Sequence, residues 1–172
     1  MEIKTLIGED EIQARVVRMA QEINGVYGDS ELYVIVALKG AAIFACDLVR
    51  HLTMPVKMEF IRLSSYGGGT ASSGKVNAVD ISLPDLNDKN VLIVEDIIDT
   101  GLTAKFLLDF MGCNFKTKST KFCVLLDKKI ARKVAVEPDY SGFEVGDEFV
   151  VGFGLDYDGY YRNLPYVGVL DV

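Results

Sequence analysis

The chain has 172 residues and a net charge of −7, and 49% of its residues are hydrophobic. This length suffices for one domain with a substantial core, and the apolar content excludes global disorder. The negative charge argues against non-specific nucleic-acid binding, which needs a basic surface. No apolar run is long enough to span a membrane, and the first residues lack the layout of a signal peptide. We therefore expect a cytoplasmic protein.

The apolar pattern predicts helices and strands that alternate along the chain. Helices are predicted over residues 10–24, with Gly25 as the stop, and over residues 41–52 and 104–111. Strands are predicted over residues 32–38, 56–63, 78–83, 91–94, 121–126, 149–153 and 166–170. This alternation is typical of an α/β fold with a central, mostly parallel sheet flanked by helices. Since no linker-like or repeated segment divides the chain, we expect one domain over residues 1–172.

Residues 64–77 form a polar stretch with four glycines between two predicted strands. A loop of this length inside a compact domain is usually functional, so we expect a flexible lid loop here. Residues 69–75 nearly match the phosphate-binding loop of nucleoside triphosphatases, but Val76 replaces the Ser or Thr that would bind Mg²⁺. A strand is predicted after it where that motif needs a helix, which argues against a nucleoside triphosphatase.

The cysteines and the single histidine give little support for nucleophilic or zinc chemistry. Cys46, Cys113 and Cys123 are widely spaced in apolar stretches, which predicts buried free thiols in a reducing compartment. His51 lies in a helical pattern without a supporting motif, and we expect it at the surface or half-buried. A Cys–His or Ser–His pair is therefore disfavoured, and a zinc site would need more clustered ligands.

The most informative segment runs from the predicted strand over residues 91–94 into the next predicted helix. Glu95, Asp96 and Asp99 come after the strand, and a Thr-Gly-Leu-Thr turn over residues 100–103 leads into that helix. Backbone N–H groups at such a turn can hold a phosphate, and carboxylates can accept hydrogen bonds from a ribose diol. An ordinary turn with an Asp helix cap explains one acid, but not two adjacent acids at a strand end. The pattern indicates a site for a phosphorylated sugar.

This segment resembles the phosphoribosyl pyrophosphate motif of the phosphoribosyltransferase family, since the strand, acids, threonines and glycine come in the family's order. The chain is most similar to the bacterial hypoxanthine (hypoxanthine-guanine) members, from Leu38-Lys39-Gly40 to residues 162–166. The resemblance implies a type I phosphoribosyltransferase fold with a small hood and the lid loop. It also implies a purine salvage enzyme that transfers the 5-phosphoribosyl group from phosphoribosyl pyrophosphate to hypoxanthine, and to guanine, with release of pyrophosphate.

The same resemblance assigns the residues that bind the sugar and the metal. The phosphoribosyl group would be bound by Glu95, Asp96, Asp99, Thr100, Gly101, Leu102 and Thr103. Leu102 stands where some members carry Lys, a departure that removes one cationic contact but leaves the backbone amides. Asp99 would transfer the proton of the purine nitrogen, a role that is compatible with a helix cap. Mg²⁺ would be held by Glu95, Asp96 and Asp156 together with substrate phosphates.

Pyrophosphate would contact Lys39, Gly40 and Arg162 in this resemblance, because a guanidinium suits bidentate phosphate contacts. The peptide bond before Lys39 is often cis in the family. Taken alone, Arg162 would be expected in a surface ion pair with Asp156 or Asp158. Ser65 and Tyr66 would begin the lid.

The resemblance places the purine against Lys128, Phe149 and Val150. Phe149 would stack on the ring, although alone it would be expected in the core. The Lys128 ammonium can donate to a 6-oxo group but not to a 6-amino group, which favours 6-oxopurines over adenine. Val150 would add a backbone hydrogen bond at the base edge.

Two alternatives use the same fold. A non-catalytic regulator would bind phosphoribosyl pyrophosphate as a signal, but it should carry a nucleic-acid-binding region, which the length and charge disfavour. An enzyme for another base, such as xanthine or a pyrimidine, is the second alternative, and Lys128 with Phe149 does not separate guanine from xanthine. The resemblance further implies a nucleoside monophosphate product (IMP or GMP) and a homodimer or homotetramer.

Overall fold

The computed structural model describes residues 2–65 and 76–171. Nine strands, three α-helices and a short 3₁₀ turn are present within these residues. In chain order they are β1 (Ile3–Ile7), α1 (Glu9–Tyr27), β2 (Leu32–Leu38), α2 (Ala42–Val49), β3 (Val56–Ser65), β4 (Val76–Asp80), β5 (Asn90–Ile98), α3 (Leu102–Asn114), β6 (Ser119–Asp127), the 3₁₀ turn (Lys129–Ala131), β7 (Tyr140–Glu144), β8 (Val150–Val151) and β9 (Val167–Leu170).

The main sheet has six strands in the order β4-β3-β2-β5-β6-β7. All neighbouring pairs are parallel except β3 with β4, which is antiparallel. The predicted α/β fold with a mostly parallel sheet is thereby confirmed. The chain leaves β2 toward one edge of the sheet and returns through β5 toward the other edge. Ligands of such sheets bind outside the carboxyl ends of the strands at this reversal point, here between β2 and β5.

Both faces of the sheet are covered, so β2 is buried almost throughout and β5 is buried from Val91 to Glu95. On one face, a core cluster combines α1 residues at helical spacing with alternate residues of β2: Ile12, Val16, Met19, Ala20, Ile23, Leu32, Val34 and Val36. On the other face, the core includes α3 and the remaining residues of β2: Ala104, Leu107, Met111, Tyr33, Ile35 and Ala37. This two-sided burial explains why the strands read as continuous apolar runs.

A second, three-stranded antiparallel sheet has the order β1-β9-β8 and forms a small hood. Its first strand was not predicted, because three of the five residues of β1 are exposed and give no apolar pattern. The main-sheet strand β7 was also missed, since only its first residue is buried. The predicted strand over residues 149–153 shortens to β8 because Gly152, Phe153 and Gly154 have positive φ.

Several predicted boundaries were wrong. Helix α1 does not stop at Gly25 but continues to Tyr27, whose buried side chain holds the last turn, and it ends at Gly28 with φ 56°. Helix α3 is longer than predicted at both ends, and β4 begins before residue 78. The predicted lid over residues 64–77 is partly strand, because β3 runs through Ser65 and β4 starts at Val76. Tyr66 and the rest of the lid lie outside the described residues.

The cysteine prediction was wrong for two of the three thiols. Cys46 in α2 and Cys113 in α3 are exposed, because their apolar neighbours face the core from other sides of each helix. Cys123 in β6 is buried as predicted, and burial raises the pKa of its thiol. His51 is exposed directly after α2. Among the described residues, no helix is long and apolar enough to cross a membrane.

Candidate active site

Glu95 and Asp96 lie inside β5, not after it, whereas Asp99 follows the strand as predicted. The strand continues to Ile98, and Glu95 pairs in register with Val124 of β6. Glu95 is 8% exposed, and its Oε1 has no hydrogen-bond partner among the described residues. Burial, with the neighbouring Asp96 carboxylate as the second cause, raises the pKa of Glu95 well above its usual range. Such an unpaired buried carboxylate costs stability and marks a functional position.

Asp96 lies against the loop that connects β2 to α2. A Cβ on Gly40 would lie 1.8 Å from Asp96 Oδ2, so any other residue at position 40 would have to displace that carboxylate. The Asp96 Oδ1 accepts a hydrogen bond from the Ile97 N–H at 2.9 Å. Burial raises the pKa of Asp96, while this amide and the Arg162 charge act in the opposite direction. The Leu38–Lys39 peptide bond in this loop is cis, and the Lys39 side chain is exposed.

The predicted phosphate loop joins β5 to α3. Gly101, with φ 83°, is the N-cap of α3, and this left-handed conformation favours glycine. The Asp99 carboxylate accepts from the Thr100 N–H, and Thr100 Oγ1 accepts from the Leu102 N–H at 3.3 Å. The idea of Asp99 as the helix cap was therefore wrong, because Gly101 occupies that position. The loop borders a cavity of about 200 Å³ lined by Glu95, Asp96, Ile97, Ile98, Asp99, Gly101, Thr103, Ala104 and Phe122.

The three predicted purine-binding residues line a second cavity, of about 340 Å³. Its lining consists of Asp96, Ile97, Asp99, Lys128, Glu148, Phe149, Val150, Leu155 and Asp156. The Lys128 ammonium donates to the carbonyls of Asp147 and Glu148, both at 3.0 Å, and thereby holds the segment before Phe149. The Phe149 ring is half-buried and meets Tyr157 edge-on, with centroids 5.7 Å apart.

A third cavity, of about 160 Å³, lies beside the loop after β2. It is lined by Ala37, Leu38, Gly40, Leu63, Glu95, Asp96 and Thr103. Of the predicted pyrophosphate-binding residues, Gly40 therefore lines this cavity, while Lys39 adjoins it in sequence.

Arg162 does not line that third cavity but is bound beside it, since its partner Gly154 packs against Gly40. Its Nη1 donates to the Gly154 carbonyl at 2.6 Å, and its Nη2 lies 2.6 Å from Asp156 Oδ1. The ion pair with Asp156, which the sequence left as an alternative, is thus present. Asp156 Oδ2 also accepts from the Gly159 N–H at 2.7 Å. The phosphate contact of Arg162 stays a prediction, and it would require this pair to be shared or exchanged.

Asp96 lines all three cavities, which places them around one carboxylate. Asp99 lines the first two, and Glu95 and Thr103 line the first and third. An arrangement of three compartments that share carboxylates suits a reaction with three reacting parts: a sugar phosphate, an anionic leaving group and an incoming base. Binding each part in its own compartment would fix their mutual orientation.

The described residues contain no group of three or more His, Cys, Asp or Glu side chains that could hold a metal by itself. Glu95 with its unpartnered Oε1, next to Asp96, nevertheless suits a hard cation. Asp156 lines a different cavity from Glu95 and is paired with Arg162. A metal site here would therefore need substrate oxygens to complete it.

Sequence reasoning missed one buried ion pair near this site. Asp127, 2% exposed, pairs through Oδ1 with Arg132 Nη2, and the Arg132 side chain is 12% exposed. The available signal was the position of Asp127 at the end of a predicted strand, directly before Lys128. Its partner could not be recognised, because the fold of residues 128–134 is not apparent from any periodic pattern.

Comparison with known proteins agrees with this geometry. Residues 8–158 match the family model described as the phosphoribosyl transferase domain. The hypoxanthine-guanine phosphoribosyltransferase of Bacillus subtilis is 45% identical over 97% of this chain and 92% of its own length. The bifunctional protein TilS/HprT of Listeria innocua is also 45% identical over 97% of this chain, which spans only 26% of that longer protein.

Among solved structures, a hypoxanthine-guanine phosphoribosyltransferase of Bacillus anthracis superposes with a TM-score of 0.92 at 44% identity, covering 99% of this chain and all of that chain. The parallel sheet with its hood is accordingly the type I phosphoribosyltransferase fold. The matched family model covers most of the chain, including the three cavities and the carboxylates between them. The protein belongs to the phosphoribosyltransferase family.

Proposed function

We propose that this protein is a Mg²⁺-dependent hypoxanthine phosphoribosyltransferase of purine salvage. It would transfer the 5-phosphoribosyl group from phosphoribosyl pyrophosphate to hypoxanthine or guanine, giving IMP or GMP and pyrophosphate. The observation that carries the proposal is the placement of Asp96 at the junction of three cavities. The names of the relatives from Bacillus support the choice of base.

We propose Asp99 as the residue that transfers the proton. It is exposed and lines both the cavity beside the phosphate loop and the cavity that contains Lys128. A carboxylate between sugar and base can accept the proton of the purine nitrogen. Its negative charge would also favour the cationic, oxocarbenium-like sugar in the transition state.

Sugar and phosphate binding would use the turn between β5 and α3. The Leu102 and Thr103 amides lie at the start of a helix of 13 residues, where N–H groups and the helix dipole favour an anion. Thr100 and Thr103 hydroxyls would donate to the same phosphate. Leu102 needs no side-chain charge for this contact, because its backbone supplies the donor.

Base choice would depend on Lys128. Its Nζ donates to two carbonyl oxygens, lies 3.6 Å from Asp147 Oδ1 and lines the same cavity as Phe149. A purine 6-oxo group would take the ammonium proton that faces the exposed Asp147 carboxylate. Phe149 would stack on the ring without reading its edge, and the Val150 backbone would contact that edge.

Mg²⁺ would be held by Glu95 and Asp96 with substrate oxygens, and by Asp156 through water. When bound, the cation would neutralise the pyrophosphate charge that develops as the bond to the sugar breaks. Lys39, Gly40 and Arg162 would complete the pyrophosphate contacts. Ser65 and Tyr66 would begin the lid that closes over the sugar. We further propose a cytoplasmic homodimer or homotetramer, as the family resemblance implies.

The test is nucleotide formation by the purified protein with Mg²⁺, phosphoribosyl pyrophosphate and a panel of hypoxanthine, guanine, xanthine, adenine and uracil. Nucleotide from the first two bases is expected. Product from xanthine or uracil alone would favour another base on the same fold, and binding of phosphoribosyl pyrophosphate without any product would favour a regulator. Omission of Mg²⁺ should abolish product, and activity in its absence would contradict the metal assignment.

The variant Lys128→Ala sharpens this test. Loss of a hydrogen bond from a charged donor should lower kcat/KM for hypoxanthine and guanine by roughly ten- to a hundred-fold more than kcat/KM for adenine. Lys129→Ala is the matched control, because Lys129 is an exposed neighbour paired with Glu144 on the surface. If the ratio of kcat/KM for hypoxanthine to kcat/KM for adenine is the same in Lys128→Ala as in the wild type, the base pocket lies elsewhere in the protein.

A further inference from the structure

The segment after β6 is fastened to the phosphate loop by backbone hydrogen bonds. The Lys128 N–H donates to the Ile98 carbonyl at 2.9 Å. The Lys133 and Val134 N–H groups both donate to the Thr100 carbonyl, at 2.9 Å and 3.2 Å. The loop proposed to bind the phosphosugar and the residue proposed to select the base are therefore tied to one continuous piece of chain.

The side chain of Arg132 extends from the phosphate loop at Gly101 to Asp127 at the end of β6. A Cβ on Gly101 would lie 3.0 Å from Arg132 Cδ and 3.0 Å from Val134 Cγ2, so the Arg132 stem lies under the phosphate loop. The other end of the side chain pairs with Asp127, the residue directly before Lys128. One side chain thus contacts the sugar side and the base side of the site.

A contribution to stability does not explain why Asp127 and Arg132 form a buried ion pair. Desolvation of two buried charges usually offsets their attraction, so that well-packed apolar residues would stabilise the fold at least as well. The guanidinium also has Nε and Nη1 buried without a hydrogen-bond partner among residues 2–65 and 76–171. Buried donors without partners are rare, and these two can take up carbonyl oxygens if the adjoining loop shifts.

We propose that Arg132 is a positioning residue that couples the phosphosugar loop to the base cavity, so that each ligand tightens binding of the other. The inference rests on the proposed function, because it needs both ligands to bind this site. A phosphate drawn onto the amides after Gly101 shifts the loop against the Arg132 stem. Through Asp127, that shift fixes Lys128 in the base cavity.

Hydrogen exchange on the wild-type protein tests the coupling without a mutation. Ribose 5-phosphate alone should slow exchange at the amides of Phe149 and Val150, which line the base cavity and neither of the other two. Hypoxanthine alone should slow exchange at the amides of Lys133 and Val134, which hold the phosphate loop. If ribose 5-phosphate slows exchange only around the phosphate loop, and hypoxanthine slows it only around the base cavity, the inference is overturned.

Equilibrium binding gives the second test. The Kd of phosphoribosyl pyrophosphate with Mg²⁺ is measured with and without a 9-deaza analogue of hypoxanthine, whose carbon replaces the reacting nitrogen. We expect the analogue to tighten this Kd by about tenfold in the wild type, within the usual range of coupling between sites. Arg132→Lys keeps the charge but loses the planar fork, and the factor should fall to about twofold.

The control is Lys129→Gln, which removes the exposed ion pair with Glu144 in the same turn. In this variant the analogue should still tighten the Kd of phosphoribosyl pyrophosphate by about tenfold, as in the wild type. If the analogue tightens this Kd in folded Arg132→Lys as much as in the wild type, the inference is overturned, whatever the melting temperature of the variant. If Arg132→Lys does not fold, the exchange result decides. A wild type that binds neither ligand would overturn the proposed function and this inference together, whereas binding of both without coupling would overturn the inference alone.

Discussion

Two parts of β5 differ in their physical role: a first half, Val91 to Val94, and a second half that begins with the carboxylates Glu95 and Asp96. Val91 to Val94 are at most 1% exposed and pack alternately into the two cores. Glu95, one residue later, is almost equally buried but carries a carboxylate whose Oε1 has no partner among the described residues. The first half stabilises the sheet by apolar burial. The second half gives up stability to hold charges where three cavities meet.

The comparison shows how one strand can serve both purposes. Parallel strands buried on both faces are rigid supports, and side chains at their carboxyl ends inherit that rigidity. Each half should therefore respond differently to mutation. Truncation of apolar side chains in the first half should reduce stability. Neutral replacement of a carboxylate in the second half should reduce activity while stability is kept or raised.

The largest effect is expected for Asp99→Ala, just beyond the second half. Loss of the proton-transfer carboxylate should lower kcat by roughly 10²–10⁴-fold. Because Asp99 is exposed, the melting temperature should change little. Asp109→Ala is the control, since Asp109 is an exposed carboxylate in α3 that pairs only with the exposed Lys105 among the described residues. A near-normal kcat in Asp99→Ala would remove Asp99 from the chemistry.

Leu92→Ala should show the opposite pattern in the first half. Leu92 is fully buried, and its truncation leaves a cavity, which should cost about 2–5 kcal/mol of unfolding free energy. Urea denaturation measures this loss. The folded fraction should keep its KM values, because Leu92 lines none of the three cavities. A loss below about 1 kcal/mol would contradict the assignment of this half to stability.

Gly40→Ala should disturb the second half from outside the strand. The added methyl would lie 1.8 Å from Asp96 Oδ2 and must displace that carboxylate. A displacement of about 1 Å can cost about 10²-fold in kcat/KM. Gly25→Ala provides the contrast, because nothing lies within 4 Å of a Cβ there and the residue is inside α1. That change should stabilise the protein by about 0.4–1 kcal/mol, and equal kinetics in the two variants would contradict the account.

The same contrast explains what the sequence could predict. The apolar half of β5 was recognised from its composition, and the site was recognised because its acids interrupt that pattern. The sequence placed these acids after the strand, since charged residues inside a buried strand are unusual. The strand's extension to Ile98 results instead from pairing with β6. Pairing of this kind depends on residues distant in the chain and leaves no local signal.

Contacts that close the site were harder to predict for the same reason. The ion pair of Arg132 with Asp127 and the donation from Lys128 to the carbonyls before Phe149 depend on irregular segments. The engagement of Arg162 by Asp156 was foreseen only as an alternative, because sequence proximity alone suggested it. Family resemblance supplied the identities of the predicted site residues, and the structure supplied their partners.

The central claim, that the second half of β5 gives up stability for function, is tested most directly by Glu95→Gln. The raised pKa of Glu95 means that the native state binds this proton more tightly than the unfolded chain, whose Glu pKa is about 4.3. Its contribution to stability is therefore full below about pH 4.3 and is lost as pH rises through the native pKa. Gln carries no charge at any pH and avoids this loss.

The measurement is the difference in melting temperature between Glu95→Gln and the wild type, taken without metal or substrate between about pH 4.5 and pH 8.5, alongside kcat/KM. We predict that the difference grows with pH and reaches about 2–4 °C in favour of the variant, while kcat/KM falls. A variant that is no more stable than the wild type at the upper pH, or that keeps full kcat/KM, would contradict the account.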